Sequence, residues 1–170
     1  MMTTEVGLSL GSNLGDRLAN LRAARQRIAA WPGMRLVASA PLYETEPVGV
    51  KPEYRYLAFL NTVLIVVGDF PPAEWRRVTA QIEDGLGRVR SADKFAPRTL
   101  DIDVLYVGDQ CCDDGGLIIP HPRWAQRRFV LQPLADVRPD LVLPGVKQTV
   151  FQTLENLPPG EMVKKFCAVW

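Results

Sequence analysis

The stretch from Leu57 to Val67 is apolar almost throughout and rich in β-branched residues, and it constrains the chain more than any other segment. Such a run reads as a strand, and a strand has to be paired. The rest of the chain supplies the partners. Val6 to Leu10 is a short apolar run closed by Gly11-Ser12-Asn13, so it reads as a buried strand entering a turn. Leu36 to Leu42 and Leu100 to Val107 read as two more. Two helical stripes lie between them. Asp16 is placed to cap the first, on which Leu18, Leu21, Ala24 and Ile28 recur before Pro32-Gly33 ends it. Pro71-Pro72 opens the second, with Trp75, Val78, Ile82 and Leu86 at helical spacing and Gly87 as its stop.

The order β-α-β-β-α-β predicts an α+β chain with a ferredoxin-like core. Tyr43 to Glu53, with its prolines and glutamates, reads as an exposed loop. The remainder adds short pieces at Leu117 to Ile119 and Phe129 to Leu131, and a brief helix around Val150 to Leu157. Extra short C-terminal strands and a helix are therefore expected beside the core. A length of 170 residues fits a single domain over 1–170.

Charge narrows the function. The formal net charge is +1, which suits neither a polybasic nucleic-acid binder nor an acidic tail protein. No apolar run reaches the roughly 18 residues of a membrane span. Met1 to Glu5 lacks the basic start and apolar block of a secretory leader, so a cytoplasmic location is the expectation. Cys111, Cys112 and Cys167 match neither a disulfide framework nor a zinc spacing and read as reduced thiols. His121 is the single histidine, which argues against a histidine-rich metal centre.

The most informative segment is Pro97-Arg98-Thr99-Leu100-Asp101-Ile102-Asp103. On a strand, alternate side chains share a face, so Asp101 and Asp103 point the same way. Two neighbouring carboxylates repel unless a cation neutralises them, and Mg²⁺ typically takes one or two carboxylates together with water and phosphate oxygens. Taken alone, Asp-x-Asp reads equally well as a solvated strand face. Its surroundings favour the metal. Arg88, Arg90, Lys94 and Arg98 crowd the loop just upstream, with Arg127 and Arg128 further on. Cations for phosphate oxygens beside carboxylates for metals are what a triphosphate requires. Gly11-Ser12-Asn13-Leu14-Gly15 could bind an anion, but turn and cap duty is the better reading, and no P-loop pattern occurs.

These segments together resemble the 6-hydroxymethyl-7,8-dihydropterin pyrophosphokinase family. The resemblance runs from about Val6 to Pro144 and includes Tyr43-Glu44-Thr45-Glu46-Pro47-Val48-Gly49, Phe59-Leu60-Asn61, Gly87-Arg88-Val89-Arg90 and Pro120-His121-Pro122-Arg123. It implies an enzyme of folate biosynthesis that moves pyrophosphate from ATP, its co-substrate, to a pterin hydroxymethyl group. By resemblance, Asp101 and Asp103 hold two Mg²⁺ ions, and Arg88 and Arg98 act catalytically on a loop that closes over the phosphates. Glu83, Arg90, Lys94, His121 and Arg127 match further ATP contacts. Phe59, Phe95 and Phe129 match rings that stack on or cover the pterin, with Asn61 at its edge and Thr45, Glu46 and Val48 in a bordering loop. No nucleic acid, membrane or obligate protein partner is implied.

The chain departs from the family in small ways. Some members carry Tyr where Phe59 stands and Trp where Phe95 stands. Asp113 to Gly116 holds no basic residue, although relatives place one there near the nucleotide. Cys111-Cys112 has no family role. The rival reading, a single-stranded RNA-binding sheet with the same element order, lacks its aromatic signature here.

Overall fold

The computed structural model describes residues 3–170; Met1 and Met2, part of the opening stretch read for a leader, lie outside the described residues. Strand β1 (Thr4–Ser12) leads into helix α1 (Arg17–Ala29), whose cap is Asp16 accepting from the Ala19 N–H. Then come β2 (Met34–Ser39), β3 (Leu42–Thr45) and β4 (Phe59–Gly68), the strand that the long apolar run predicts. Helix α2 (Pro72–Gly85) leads through a loop to β5 (Asp101–Val107). A small hairpin of β6 (Cys112–Asp113) and β7 (Ile118–Ile119) follows. Helices α3 (Arg128–Val137) and α4 (Val150–Glu155) and strand β8 (Val163–Cys167) finish the chain.

The main sheet is antiparallel, in the order β5-β1-β4-β3-β8, with β2 also paired to β4. This is the ferredoxin-like arrangement with its second strand broken in two. Leu36 to Leu42 is not one strand, because its pairing with β4 stops at Ser39 and resumes only at Tyr43. Pro41 has no N–H to donate, so the run cannot continue straight through it. Tyr43 to Thr45, read as loop, belongs to β3. Phe129 to Leu131 is not a separate short piece but the first turns of α3, whose pattern Pro133 obscures.

Alternation on the strands gives the sheet two cores. Val6, Leu8, Leu10, Leu64, Val66, Ile102 and Val104 face α1 and α2, against Leu21, Ile28, Trp75 and Ile82. Val63, Ile65 and Leu105 face α3 and α4, against Val130, Leu131, Leu134 and Leu154. The second core stops short of one end of the sheet. There the odd positions of β4 and β5 are Phe59, Asn61, Asp101 and Asp103, and they open into cavities instead of packing.

Candidate active site

Strand register assembles the site. Gly11 of β1 pairs with Asn61 on one side and Asp101 on the other, and Ser9 pairs with Asp103. The floor thus runs from an amide to two carboxylates across three adjacent strands. Gly11 lets it lie close: a Cβ there would stand 2.7 Å from Asn61 Oδ1 and 3.5 Å from Phe59 Cδ1. The Gly11 to Gly15 turn serves structure, as expected. Asn13 Oδ1 accepts the Arg98 N–H at 2.8 Å and the Asn13 N–H donates to the Arg98 carbonyl at 3.1 Å, fastening the end of the basic loop to β1.

Two cavities meet over this floor, sharing Asp101, Asp103 and His121. The first, about 540 Å³, lies against α2 and gathers Glu83, Arg88 and Arg90. Glu83 is buried at 6% exposure, and its carboxylate accepts from Arg88 Nη1 at 2.7 Å, Arg90 Nη2 at 2.9 Å and the Ile102 N–H at 2.7 Å. Burial pushes its carboxyl up to about 7, against the Ile102 and Arg88 contacts that favour the anion. Arg88 Nη1 also reaches Asp101 Oδ1 at 2.5 Å, and Arg98 Nη1 donates to Asp101 Oδ2 at 3.3 Å. Both loop arginines therefore rest on the carboxylate beside which a phosphate would arrive.

The second cavity, about 840 Å³, gathers Thr45, Glu46, Val48, Phe59, Asn61, Phe95, Arg127 and Phe129. Asn61 is buried and donates to Thr45 Oγ1 at 2.6 Å, which fixes its amide. Lys94, Arg98 and Arg127, all matched to the nucleotide, line this cavity rather than the first. Next in sequence to the lining residues Val50 and Lys94, Lys51 pairs with Asp93 at 2.8 Å and so joins the two bordering loops. Every residue that the resemblance assigns to the site lines one cavity or the other, whereas Arg128, counted with the cations in the sequence, turns to the Leu157 carbonyl instead.

Asp103 stands where the cavities join. His121 Nε2 is 3.8 Å and Arg127 Nη1 3.9 Å from its Oδ2, so no side chain hydrogen-bonds it among the described residues. Enclosure and the Asp101 charge push its carboxyl up to about 6, although 41% of the side chain remains open to the cavities. A carboxylate with open oxygens, raised by a like charge, suits a divalent cation. Among the described residues no cluster of three or more acidic, histidine or cysteine side chains would hold a metal alone. Two carboxylates with the remaining positions left to water and phosphate is the donor set of Mg²⁺. His121 is held neutral by burial and by Arg127 and Arg123, its pKa lowered to about 4.

Among the charged lining residues, Arg76, Asp84, Arg123 and Glu161 escape sequence reasoning. Arg76 sits on the face of α2 that carries Glu83, with its guanidinium against Gly116; a Cβ on that glycine would come within 3.2 Å of Arg76 Cζ. Arg123 and Glu161 line the second cavity. Arg123 had a signal, since it stands in the Pro120 to Arg123 motif. Arg76 and Glu161 stand in no motif, and only the tertiary structure brings them in.

A cavity lined by arginines and carboxylates and an aromatic, amide-floored cavity joined at paired aspartates are what a phosphotransferase with a flat polar acceptor requires. Comparison with known proteins narrows the class. Residues 7–139 match the family described as 7,8-dihydro-6-hydroxymethylpterin-pyrophosphokinase (HPPK), and the chain belongs to that family. A 2-amino-4-hydroxy-6-hydroxymethyldihydropteridine pyrophosphokinase of Methylorubrum extorquens is 41% identical over 92% of this chain and 96% of its own length. One from Pseudomonas aeruginosa is 37% identical over 92% and 99%. Among solved structures, a triple mutant of Plasmodium falciparum HPPK-DHPS superposes with a TM-score of 0.71 at 16% identity. That match covers 91% of this chain but 41% of the larger protein, and at such identity it speaks for the fold alone. No helix among the described residues is long and apolar enough to cross a membrane.

Proposed function

We propose that the chain transfers the β,γ-pyrophosphate of ATP to the hydroxymethyl oxygen of 6-hydroxymethyl-7,8-dihydropterin and releases AMP, the pyrophosphokinase step of folate biosynthesis. The observation that carries this reading is the junction of the two cavities at Asp101, Asp103 and His121. ATP fits the side of Glu83, Arg88 and Arg90. The pterin fits the side of Asn61, Phe59 and Phe129, where rings can stack on its faces and a fixed amide can read its edge. A hydroxymethyl group on that pterin then points toward the aspartates and the triphosphate.

In the reaction the hydroxymethyl oxygen bonds to the β-phosphorus, the bond from that phosphorus to the α,β-bridging oxygen breaks, and AMP departs. Asp101 and Asp103 are the residues that would hold Mg²⁺, and two ions are proposed. Bound there, Mg²⁺ supplies neutralisation of the triphosphate charge. Asp103, whose Oδ2 no side chain hydrogen-bonds among the described residues, is placed to take the hydroxyl proton. Arg88 and Arg98 exchange Asp101 for phosphate oxygens, which stabilises charge as it moves onto the leaving AMP. The loop from Arg88 to Arg98, fastened at Asn13, closes the site and keeps water from competing with the pterin. Phe95, 48% exposed on this loop, is placed to cover the ring.

The RNA-binding alternative is disfavoured by the architecture. Such sheets offer an open face to stacked bases, whereas α3 and α4 cover one face of this sheet and α1 and α2 the other. The deciding experiment measures AMP release from ATP and Mg²⁺, with and without the pterin, and the mass of the pterin product. Pterin-dependent AMP with a pyrophosphorylated pterin is expected. AMP release indifferent to the pterin would refute the assignment.

A further inference from the structure

The segment after α4 reaches the second cavity through one carboxylate. Glu161 lines that cavity beside Phe129 and Arg127, and its Oε2 accepts the Phe129 N–H at 3.3 Å. That N–H belongs to the first turn of α3, where the backbone has no intrahelical acceptor and Arg127 offers no side-chain cap. A carboxylate there also complements the positive end of the helix. Arg128 Nη2 donates to the Leu157 carbonyl at 3.2 Å, a second tie between the same turn and the same segment.

What this turn carries is the pocket wall. The Arg127 guanidinium lies over the Phe129 ring with Cζ 5.5 Å from its centroid, while its Nη1 faces Asp103 at 3.9 Å. The segment bearing Glu161 is itself anchored. Val163, two residues on, pairs with Thr45, which accepts from Asn61. At the far end Trp170 is buried, donates Nε1–H to the Ala40 carbonyl at 2.8 Å and is covered by Arg25. Glu161 is therefore held in place from the opposite wall of the cavity, and it lies beyond residues 7–139 of the family match.

We propose that Glu161 is a positioning residue of the acceptor cavity, which clamps the first turn of α3 so that the Phe129 ring and the Arg127 guanidinium keep their places over the pterin. The inference rests on the pyrophosphokinase reading above and adds a residue to it. Glu161 acts through Phe129 and Arg127, so its loss weakens pterin binding selectively and leaves the nucleotide side intact.

The test compares wild type, Glu161→Ala and Glu161→Gln in steady-state kinetics, in equilibrium pterin binding followed by ring fluorescence, and in thermal unfolding. Loss of one charge-assisted hydrogen bond predicts that Glu161→Ala raises the pterin KM and Kd by about threefold to tenfold. The ATP KM should stay within about twofold. Glu161→Gln, whose amide oxygen still accepts the Phe129 N–H, should recover most of the loss. An active wild type with an equally tight-binding Glu161→Ala would overturn the positioning role alone. So would equal losses on both substrates that track a lowered Tm, the mark of a purely structural cap. Wild type that neither binds the pterin nor releases AMP would remove the pyrophosphokinase reading and this role with it.

Discussion

Placing one methyl group on Gly11 tests the floor of the site directly. In Gly11→Ala the new Cβ would sit 2.7 Å from Asn61 Oδ1, below the 3.0 Å that real Cβ contacts respect. Gly11 and Asn61 are paired across β1 and β4, so the backbone cannot separate without breaking the ladder. Asn61 must retreat by roughly half an ångström or turn, and its bond to Thr45 Oγ1 at 2.6 Å goes with it. Overpacking costs about 1–3 kcal/mol and a lost buried hydrogen bond about 1 kcal/mol, so a combined loss of about 2–4 kcal/mol and a Tm lower by roughly 4–16 °C are expected. Misplacing the amide at the pterin edge should weaken pterin binding by about tenfold, equivalent to about 1.4 kcal/mol. Gly7→Ala is the control. Gly7 lies on the same strand, where a Cβ would press on the Tyr106 ring, 2.8 Å from Cδ1, far from the cavities. Its Tm should fall at least as much while the pterin KM stays at the wild-type value. Thermal unfolding and pterin KM at saturating ATP give both readouts. If Gly11→Ala leaves the pterin KM unchanged, or Gly7→Ala raises it as much, the floor has been assigned to the wrong residues.

Other perturbations separate the remaining parts. Arg98→Ala should lower kcat by roughly tenfold to a hundredfold with a smaller change in the ATP KM, because its partner changes from Asp101 to phosphate as the reaction proceeds; an effect confined to KM in rapid-mixing and steady-state assays contradicts this. Gly116→Val should push Arg76 out of the nucleotide cavity and raise the ATP KM about threefold, Arg76→Ala should do the same, and the double variant should be no worse than either. Full additivity in that cycle would show that the two residues act separately. Arg138 and Tyr106 hydrogen-bond Glu5 and hold its carboxyl below its usual 4.5, so the pair's stabilisation is present above that pH and fades as pH falls through the folded-state value. Acid unfolding of Glu5→Gln should therefore show a flatter pH dependence than wild type, with turnover at neutral pH unaltered.

Much of this was legible in the residues. The β4 run, the two helical stripes and the Asp16 cap announce themselves through local periodicity. Asp101 and Asp103 could be placed on one face because a strand leaves them no alternative. What stayed hidden has long-range causes. Pro41 divides what looks like one strand, and whether a chain bends or pairs again after such a break depends on the neighbour it meets. Strand β8 carries Lys164, Lys165 and Phe166 all exposed, so as a sheet edge it shows no alternation. Lys94 and Arg98 were matched to ATP, yet the course of their loop brings them over the acceptor cavity. Glu161 could not be found from its neighbours in sequence, since its meaning comes from the helix turn it meets 32 residues away.

Because the two cavities share only Asp101, Asp103 and His121 among their lining residues, the molecule has two doors over one shared junction. On the proposed reading ATP lies behind one door and the pterin behind the other, so neither product has to pass the other on its way out. On that reading AMP leaves beside α2, and the pyrophosphorylated pterin leaves on the side of Val48 and Phe95. Traffic through the acceptor door is then set by the two loops above it, and traffic through the other by the α2 surface and the β6–β7 hairpin. The fold thereby gives evolution two independent places to adjust how fast the enzyme empties, without disturbing the aspartates between them.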